Sequence, residues 1–308
     1  SYECRLGKKF KNKNMKYLVT GGSGFIGSHL VKALTNEGNE VVVVDMEGRF
    51  SDDYDFVYAD ISKEEYNLKI LEALQGADTV FHLAAKARVQ PSIEHPIEFN
   101  ETNVTGTLTL LELCREAGVR RFVFSSSSSV YGDTTTFPTP ETAPTGPMSP
   151  YGLQKLIGEQ YCRLYAQIHD IETVCLRYFN VYGEDAPTTG AYCLVIGSFI
   201  RLKSEGKPLT VYGKGDQRRD FTHVQDVVQA NILASKSDKV GKGEVINIGN
   251  GDNRSIQQIA DVFGGPFDYL PKRLEPFQTL ADNNKAKELL GWSPTGDVEE
   301  WLKEYLKK

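Results

Sequence analysis

Two hydrophobic patterns alternate through the first 180 residues. Short uninterrupted apolar runs fall at Lys16–Thr20 and at residues 41–44, 56–59, 79–85 and 121–124. Runs of that length suit strands buried on both faces. Between them apolar residues recur every three or four positions, as on one side of a helix. Ile70, Leu71 and Leu74 mark such a helix, stopped near Gly76. Val104, Leu108 and Leu111 mark another over 97–117, closed by Gly118. A third opens after Pro150 and continues through Tyr161 and Leu164. Strands alternating with helices predict an α/β fold: a doubly wound parallel sheet covered on both faces. Beyond Asn180 the rhythm weakens, as expected of a smaller C-terminal lobe. The chain therefore divides into an N-terminal arm (1–14), a sheet domain (15–180) and a second lobe (181–308), some segments of which are expected to return to the sheet.

Composition adds exclusions. A chain of 308 residues with 25% charged and 40% hydrophobic residues is ordinary for a globular protein. A net charge of -6 offers no basic footprint for nucleic acid. No apolar run approaches the length of a membrane helix. Cys4, Cys114, Cys162, Cys175 and Cys193 show no CxxC or metal-ligand spacing. They read as reduced, mostly buried thiols of a cytoplasmic protein without a metal site. Residues 1–14 are lysine-rich and lack the apolar core of a signal peptide, so they read as a disordered arm or a cloning remnant, with Met15 a candidate natural start.

The loops after the predicted strands carry the chemistry, because ligands of such sheets sit at the strand C-termini. After the first strand, Gly21, Gly24 and Gly27 are spaced G-x-x-G-x-x-G, and a helix follows. Glycines there permit a tight turn and let backbone amides reach a pyrophosphate, which the helix N-terminus attracts. The second strand ends in Asp45, about 20 residues on, where a carboxylate would hold ribose hydroxyls. This is a Rossmann-like dinucleotide site. A carboxylate repels a 2′-phosphate, so NAD is favoured over NADP. Asp60, with Ile61, ends the third strand at a position bordering the adenine, although a turn aspartate is nearly as good a reading. Leu83, Ala84 and Ala85 end the fourth with small residues that a cofactor could pass. His82, beside them, could act as a base, but a hydrogen-bonded core histidine is the plainer reading.

After the fifth strand come five serines, Ser125 to Ser129, then Val130-Tyr131-Gly132. Tyr151 and Lys155 lie four apart on one helical face. An isolated tyrosine titrates near ~10 and is a poor base at neutral pH. A nearby ammonium and an oxidised nicotinamide would both favour the phenolate. Taken alone, such a pair reads more plainly as a solvated surface pair.

Together, the glycine motif, Ser127 before Val130-Tyr131-Gly132, Tyr151-x-x-x-Lys155 and Arg177-Tyr178-Phe179-Asn180 resemble the extended short-chain dehydrogenase/reductase family, within it the nucleotide-sugar epimerases of the UDP-galactose 4-epimerase branch. The resemblance runs from about Met15 to Trp301. It implies that Ser127 hydrogen-bonds the sugar 4-hydroxyl, that Tyr151 is the acid/base, and that Lys155 binds the nicotinamide ribose and tunes Tyr151. It places Phe25, Ile26, Asn103, Ser125 and Tyr178 near the cofactor. It assigns substrate contacts to Lys86, Asn180, Leu194, Thr210, Tyr212 as the nucleobase neighbour, and Arg219 and Arg273 as the diphosphate clamp. Guanidinium forks suit that task. Helices over 97–117 and 151–169 resemble the family's dimer-forming pair, which implies a homodimer.

Some positions narrow the reaction. Related sugar dehydratases place Asp-Glu after the Ser/Thr, where this chain has Ser128 and Ser129, so water elimination is disfavoured. Thr279 matches the position that gates the sugar 2-substituent. Threonine is small, so UDP-GlcNAc and UDP-GalNAc are expected to fit as well as, or better than, UDP-Glc and UDP-Gal. Glu184 and Asp185 argue mildly against a uronate. Cys193 stands where matched epimerases often have Asn, and Gly197 where many have Pro, which weakens the nucleobase assignment. The alternatives are a UDP-glucuronate 4-epimerase, another NDP-sugar epimerase, reductase or dehydratase on the same scaffold, and a non-catalytic NAD sensor, which would not need Ser127, Tyr151 and Lys155.

Overall fold

The computed structural model describes residues 14–48, 50–190 and 192–308. The arm expected over 1–14 lies, apart from Asn14, outside the described residues.

Seven parallel strands form the main sheet: β1 (Lys16–Thr20), β2 (Glu40–Asp45), β3 (Asp55–Tyr58), β4 (Thr79–His82), β5 (Arg121–Ser127), β6 (Glu172–Tyr178) and β7 (Lys242–Ile248), in the order β7-β6-β5-β4-β1-β2-β3. The order reverses between β1 and β4, which opens a crevice at their C-terminal ends. One face packs on the helix Phe25–Asn36 through Leu30, Val31 and Leu34. The other buries Ile70, Leu74, Leu110, Leu111 and Cys162 from three further helices. Cys114, Cys162 and Cys175 are buried free thiols.

β4 and β5 differ from expectation, and both differences shape the crevice. β4 stops at His82 instead of continuing to residue 85, because the Leu83 and Ala84 N–H groups turn to the backbone and side-chain oxygens of Thr20. β5 runs on past Phe124 to Ser127. Since His82 is in register with Phe124, Ser125, Ser126 and Ser127 overhang the end of β4 and pair only with Leu176–Tyr178 of β6. The first three serines are thus a strand end projecting over the crevice, and Ser128 and Ser129 open a 3-10 turn. The helix expected over 97–117 is realised as Pro96–Asn100, a π-helical segment Glu101–Gly106 and Thr107–Glu116.

The second half of the chain has its own apolar cluster, with Phe199, Leu209, Val211, Ile259, Phe263 and Leu302 at its centre. The helix Val224–Lys236, strand β7 and the helix Asn284–Leu290 with Trp292 nevertheless pack on the main sheet. Two short parallel bridges, Thr139 to Ala281 and Arg218 to Gln278, tie the chain near residue 280 across both halves.

Candidate active site

The glycine loop folds as its spacing predicts. Gly21 has φ +69°, and a Cβ on it would lie 2.7 Å from the Ala84 nitrogen. A Cβ on Gly27 would lie 2.1 Å from the Gly21 carbonyl oxygen, so only glycine lets the helix start against the turn. The helix opens at Gly24, whose N-cap offers no side-chain acceptor, and no acidic residue occupies its first turn. The amides of Phe25 and Ile26 are therefore presented to a phosphate. Asp45, at the end of β2, accepts from the Ser23 N–H at 3.0 Å through Oδ2 and from Met46 and Glu47 through Oδ1 at 2.7 and 3.2 Å. Oδ2 keeps a lone pair for a ribose hydroxyl. An uncapped helix start facing a small-residue turn, with a carboxylate at the neighbouring strand end, fits a dinucleotide.

Asp60 is a turn residue: its Oδ1 accepts from the Ser62 N–H and Oγ at 2.9 and 2.7 Å, and Ile61 beside it is buried. His82 is the core histidine of the plainer reading. Its ring nitrogens meet Thr20 Oγ1 at 2.7 Å and Thr107 Oγ1 at 2.8 Å, and burial pushes its pKa down to about 3, so it stays neutral. Asn103, in the π segment, accepts from the Lys86 N–H at 2.9 Å and donates to the Lys86 carbonyl at 2.8 Å and to Gln154 Oε1 at 2.9 Å. Its amide thereby holds the Lys86 loop. The Lys86 ammonium itself pairs with Glu98.

The overhanging serines meet the helix Pro150–Ile168, whose N-cap Ser149 accepts from the Gly152 N–H at 3.1 Å. Lys155, buried, donates from Nζ to the Ser125 carbonyl at 2.7 Å and lies 5.8 Å from the Tyr151 ring centre. Ser127 Oγ accepts from the Ser129 N–H at 3.2 Å and Oγ at 2.9 Å. Tyr178 shares its hydroxyl with Ser125 Oγ at 2.9 Å and with the Asn231 side chain. The structure thus gathers Ser125, Ser127, Tyr151, Lys155 and Tyr178 around one strand end. Burial dominates the charges there. It pushes Tyr151 up to about 12, only partly offset by a hydrogen bond to Ser127, and pushes Lys155 down to about 8. Lys155 points at the Ser125 carbonyl, so its ammonium does not offset the desolvation of the phenol, which acts first.

The remaining predicted residues lie beyond the end of β6. Arg219 is buried, donating to Glu275 Oε2 at 2.7 Å and to the Arg218 and Phe277 carbonyls. The Arg273 guanidinium lies 3.3 Å from the centre of the Tyr212 ring. Thr279 Oγ1 accepts from the Asp220 N–H at 3.0 Å and sits 3.4 Å from Asn180 Oδ1. Asn180, two residues past the end of β6, has φ +21°. Thr210 lies in the strand Leu209–Tyr212, and Leu194, half-exposed, caps the helix Val195–Ser204.

Sequence reasoning passed over Glu159, Tyr192 and Glu275. Glu159 was visible as the next member of the Tyr151–Lys155 stripe. Tyr192, whose hydroxyl donates to the Ala85 carbonyl at 3.2 Å, and Glu275, which occupies Arg219, are placed by contacts distant in the chain and had no local signal. Among the described residues no cluster of His, Cys, Asp and Glu could hold a metal ion, and no helix is long and apolar enough to cross a membrane.

The chain resembles solved structures along nearly its whole length. With the UDP-glucose 4-epimerase of Thermotoga maritima, bound to UDP-glucose, it shares 37% identity at a TM-score of 0.89, covering 95% of this chain and 99% of that one. For the UDP-N-acetylglucosamine 4-epimerase of Methanobrevibacter ruminantium in complex with UDP-N-acetylmuramic acid the values are 32%, 0.87, 96% and 98%. For the UDP-glucuronic acid 4-epimerase of Bacillus cereus with UDP-glucuronic acid and NAD they are 34%, 0.83, 95% and 99%. Residues 17–249 match the model of the NAD dependent epimerase/dehydratase family, and the chain belongs to that family.

Proposed function

We propose that this protein is an NAD-dependent UDP-sugar 4-epimerase that interconverts gluco and galacto isomers, acting on UDP-GlcNAc/UDP-GalNAc, on UDP-Glc/UDP-Gal, or on both. The observation that carries the reading is the overhang of β5, which sets Ser127 beside Tyr151 and Lys155 at the mouth of the glycine-loop crevice. The glycine loop, Asp45, Leu83, Ala84 and Ala85 after β4 and, at the nicotinamide ribose, Lys155 are among the residues that would hold NAD. When bound, NAD supplies the reversible hydride acceptor that lets the sugar C4 pass through a ketone. Tyr151 takes the 4-hydroxyl proton as the ketone forms and returns it when the alcohol is restored on the other face. Ser127 orients that oxygen by hydrogen bonding, and the Lys155 ammonium favours the phenolate. Ser128 and Ser129 bring no carboxylate, and Ser129 is spent on Ser127, which disfavours water elimination. Arg219 and Arg273 are assigned to the diphosphate, a role in which the substrate displaces Glu275 from Arg219.

We take residues 15–180 with the returning segments as the cofactor domain and the rest of 181–308 as the substrate lobe. A homodimer is inferred from Ile97, Leu153, Leu164 and Ile168, which the helices of the resemblance leave exposed. A cytoplasmic location is inferred from the buried free thiols.

The test is proton NMR of the anomeric signals after incubation with UDP-GlcNAc and, separately, UDP-Glc. The galacto isomer of either supports the epimerase, whereas no conversion of either, with NAD bound, sinks it. Thr279→Tyr narrows the gate, so it suppresses conversion of the N-acetyl substrate selectively. Equal loss on both substrates removes Thr279 from that role.

A further inference from the structure

Glu159 takes no part in the chemistry above, yet it is 2% exposed. It stands one turn beyond Lys155 and two beyond Tyr151, on the same stripe of the helix Pro150–Ile168. A lone buried carboxylate is strongly unfavourable. This one is held bidentately by Arg177 of β6, at 2.8 Å from Nε and 2.7 Å from Nη2, and Ser126 Oγ of β5 donates to it at 2.5 Å. Arg177 in turn lies over the Tyr131 ring, 4.6 Å from its centre. A buried ion pair is a weak source of stability compared with apolar residues of the same volume, which invites another role. The same strand, β5, supplies the carbonyl that receives Lys155 and the hydroxyl that reaches Tyr151.

We propose that Glu159 is a positioning residue for the proton-transfer pair: its carboxylate, clamped by Arg177 and Ser126, keeps Lys155 protonated and its ammonium seated on the Ser125 carbonyl beside Tyr151. The proposal rests on the assignment of Tyr151 and Lys155 above. Burial drives the lysine toward its neutral form, and Glu159 is the largest influence opposing it. The other groups around the stripe are His82 of β4, Cys175, Arg177 and Tyr178 of β6, Tyr131 after β5, Cys162 on the same helix and Tyr192 from the loop over the crevice. Glu159 is the carboxylate among them. Its negative charge, acting through one helical turn, decides how far into alkaline pH the ammonium survives.

The test follows the Lys155 Cε resonance in protein labelled at lysine with carbon-13, assigned by its loss in Lys155→Met, alongside the pH profile of kcat/KM. Glu159→Gln keeps an acceptor for Arg177 but removes the charge. Lys155 is expected to titrate about one pH unit lower, and the alkaline limb of activity to move with it. Arg177→Gln leaves the carboxylate unneutralised and moves both in the opposite direction. Should Glu159→Gln fail to fold, the upward shift in Arg177→Gln carries the test alone. An unchanged Lys155 titration in the folded variants, with activity lowered equally at all pH, overturns the proposal. A shifted titration with an unshifted activity limb instead overturns the catalytic reading of Lys155 and leaves the electrostatic coupling standing.

Discussion

At the scale of single residues the site is a contest between burial and specific partners. Tyr151 is lifted to about 12 by desolvation, only partly offset by its hydrogen bond to Ser127. Tyr151→Phe removes only the hydroxyl of the proposed proton carrier, and steady-state kinetics should show kcat lower by roughly 10²–10⁴ with an unchanged unfolding midpoint. His82 makes a pH prediction whose sign is fixed by its depressed pKa of about 3. Its unfolded value is near ~6.5. The unfolded chain therefore binds the extra proton first, and stability present above ~6.5 is lost as pH falls through the window down to about 3. Between pH ~6.5 and ~5 the loss from this residue is about 2 kcal/mol. Asp220, raised to about 6 by burial, works in the opposite sense over part of that window, so the comparison must be between variants. Urea midpoints of His82→Gln should vary less with acid than those of the parent, and parallel curves would remove His82 as the cause.

At the scale of elements the deciding feature is how closely the helix Pro150–Ile168 lies on β5. A Cβ on Gly158 would stand 2.4 Å from Phe124 Cζ, and one on Gly152 2.8 Å from the Ser129 carbonyl oxygen. These glycines lower intrinsic helix propensity. They let the Tyr151–Lys155–Glu159 stripe reach the serine overhang. Gly158→Val forces the helix away from the strand and should cost about 1–3 kcal/mol through overpacking, read as a lower urea midpoint. Because Lys155 moves with the helix, kcat falls in the same variant. An unchanged midpoint would mean that Phe124 can swing aside. The helix, its Pro150 start and its 3.6-residue period were legible in the chain. The extension of β5 was not, because a serine run has no hydrophobic alternation, and only pairing with Leu176–Tyr178 makes it a strand.

At the scale of the molecule, the second half of the chain returns to the main sheet. Strand β7 completes that sheet and the helix Val224–Lys236 packs on it, while Arg219, Thr279 and Tyr212 stand outside it. Asp220, wholly buried, joins segments of this framework by accepting from the amides of Asn250, Gly251 and Ala281. On the outer surface, Leu164 and Ile168 are 44% and 58% exposed, and Ile97 is 77% exposed. Leu164→Glu places a charge in the proposed dimer face, where desolvating it is costly. Sedimentation equilibrium should report a dimer for the parent and a monomer for the variant. A monomeric parent would end the dimer proposal.

Local rules carried the strand–helix alternation, the glycine turn and its Asp45 partner, and the Tyr151–Lys155 stripe. Each depends on residues close in sequence or on a fixed backbone period. Only the tertiary structure decided where β4 stops and β5 continues, which carboxylates occupy Arg219 and Lys86, and that the buried phenol is held above its ordinary value. Those outcomes follow from register, desolvation and pairing between segments far apart in the chain, and a linear pattern of residue types does not encode the distances that set them.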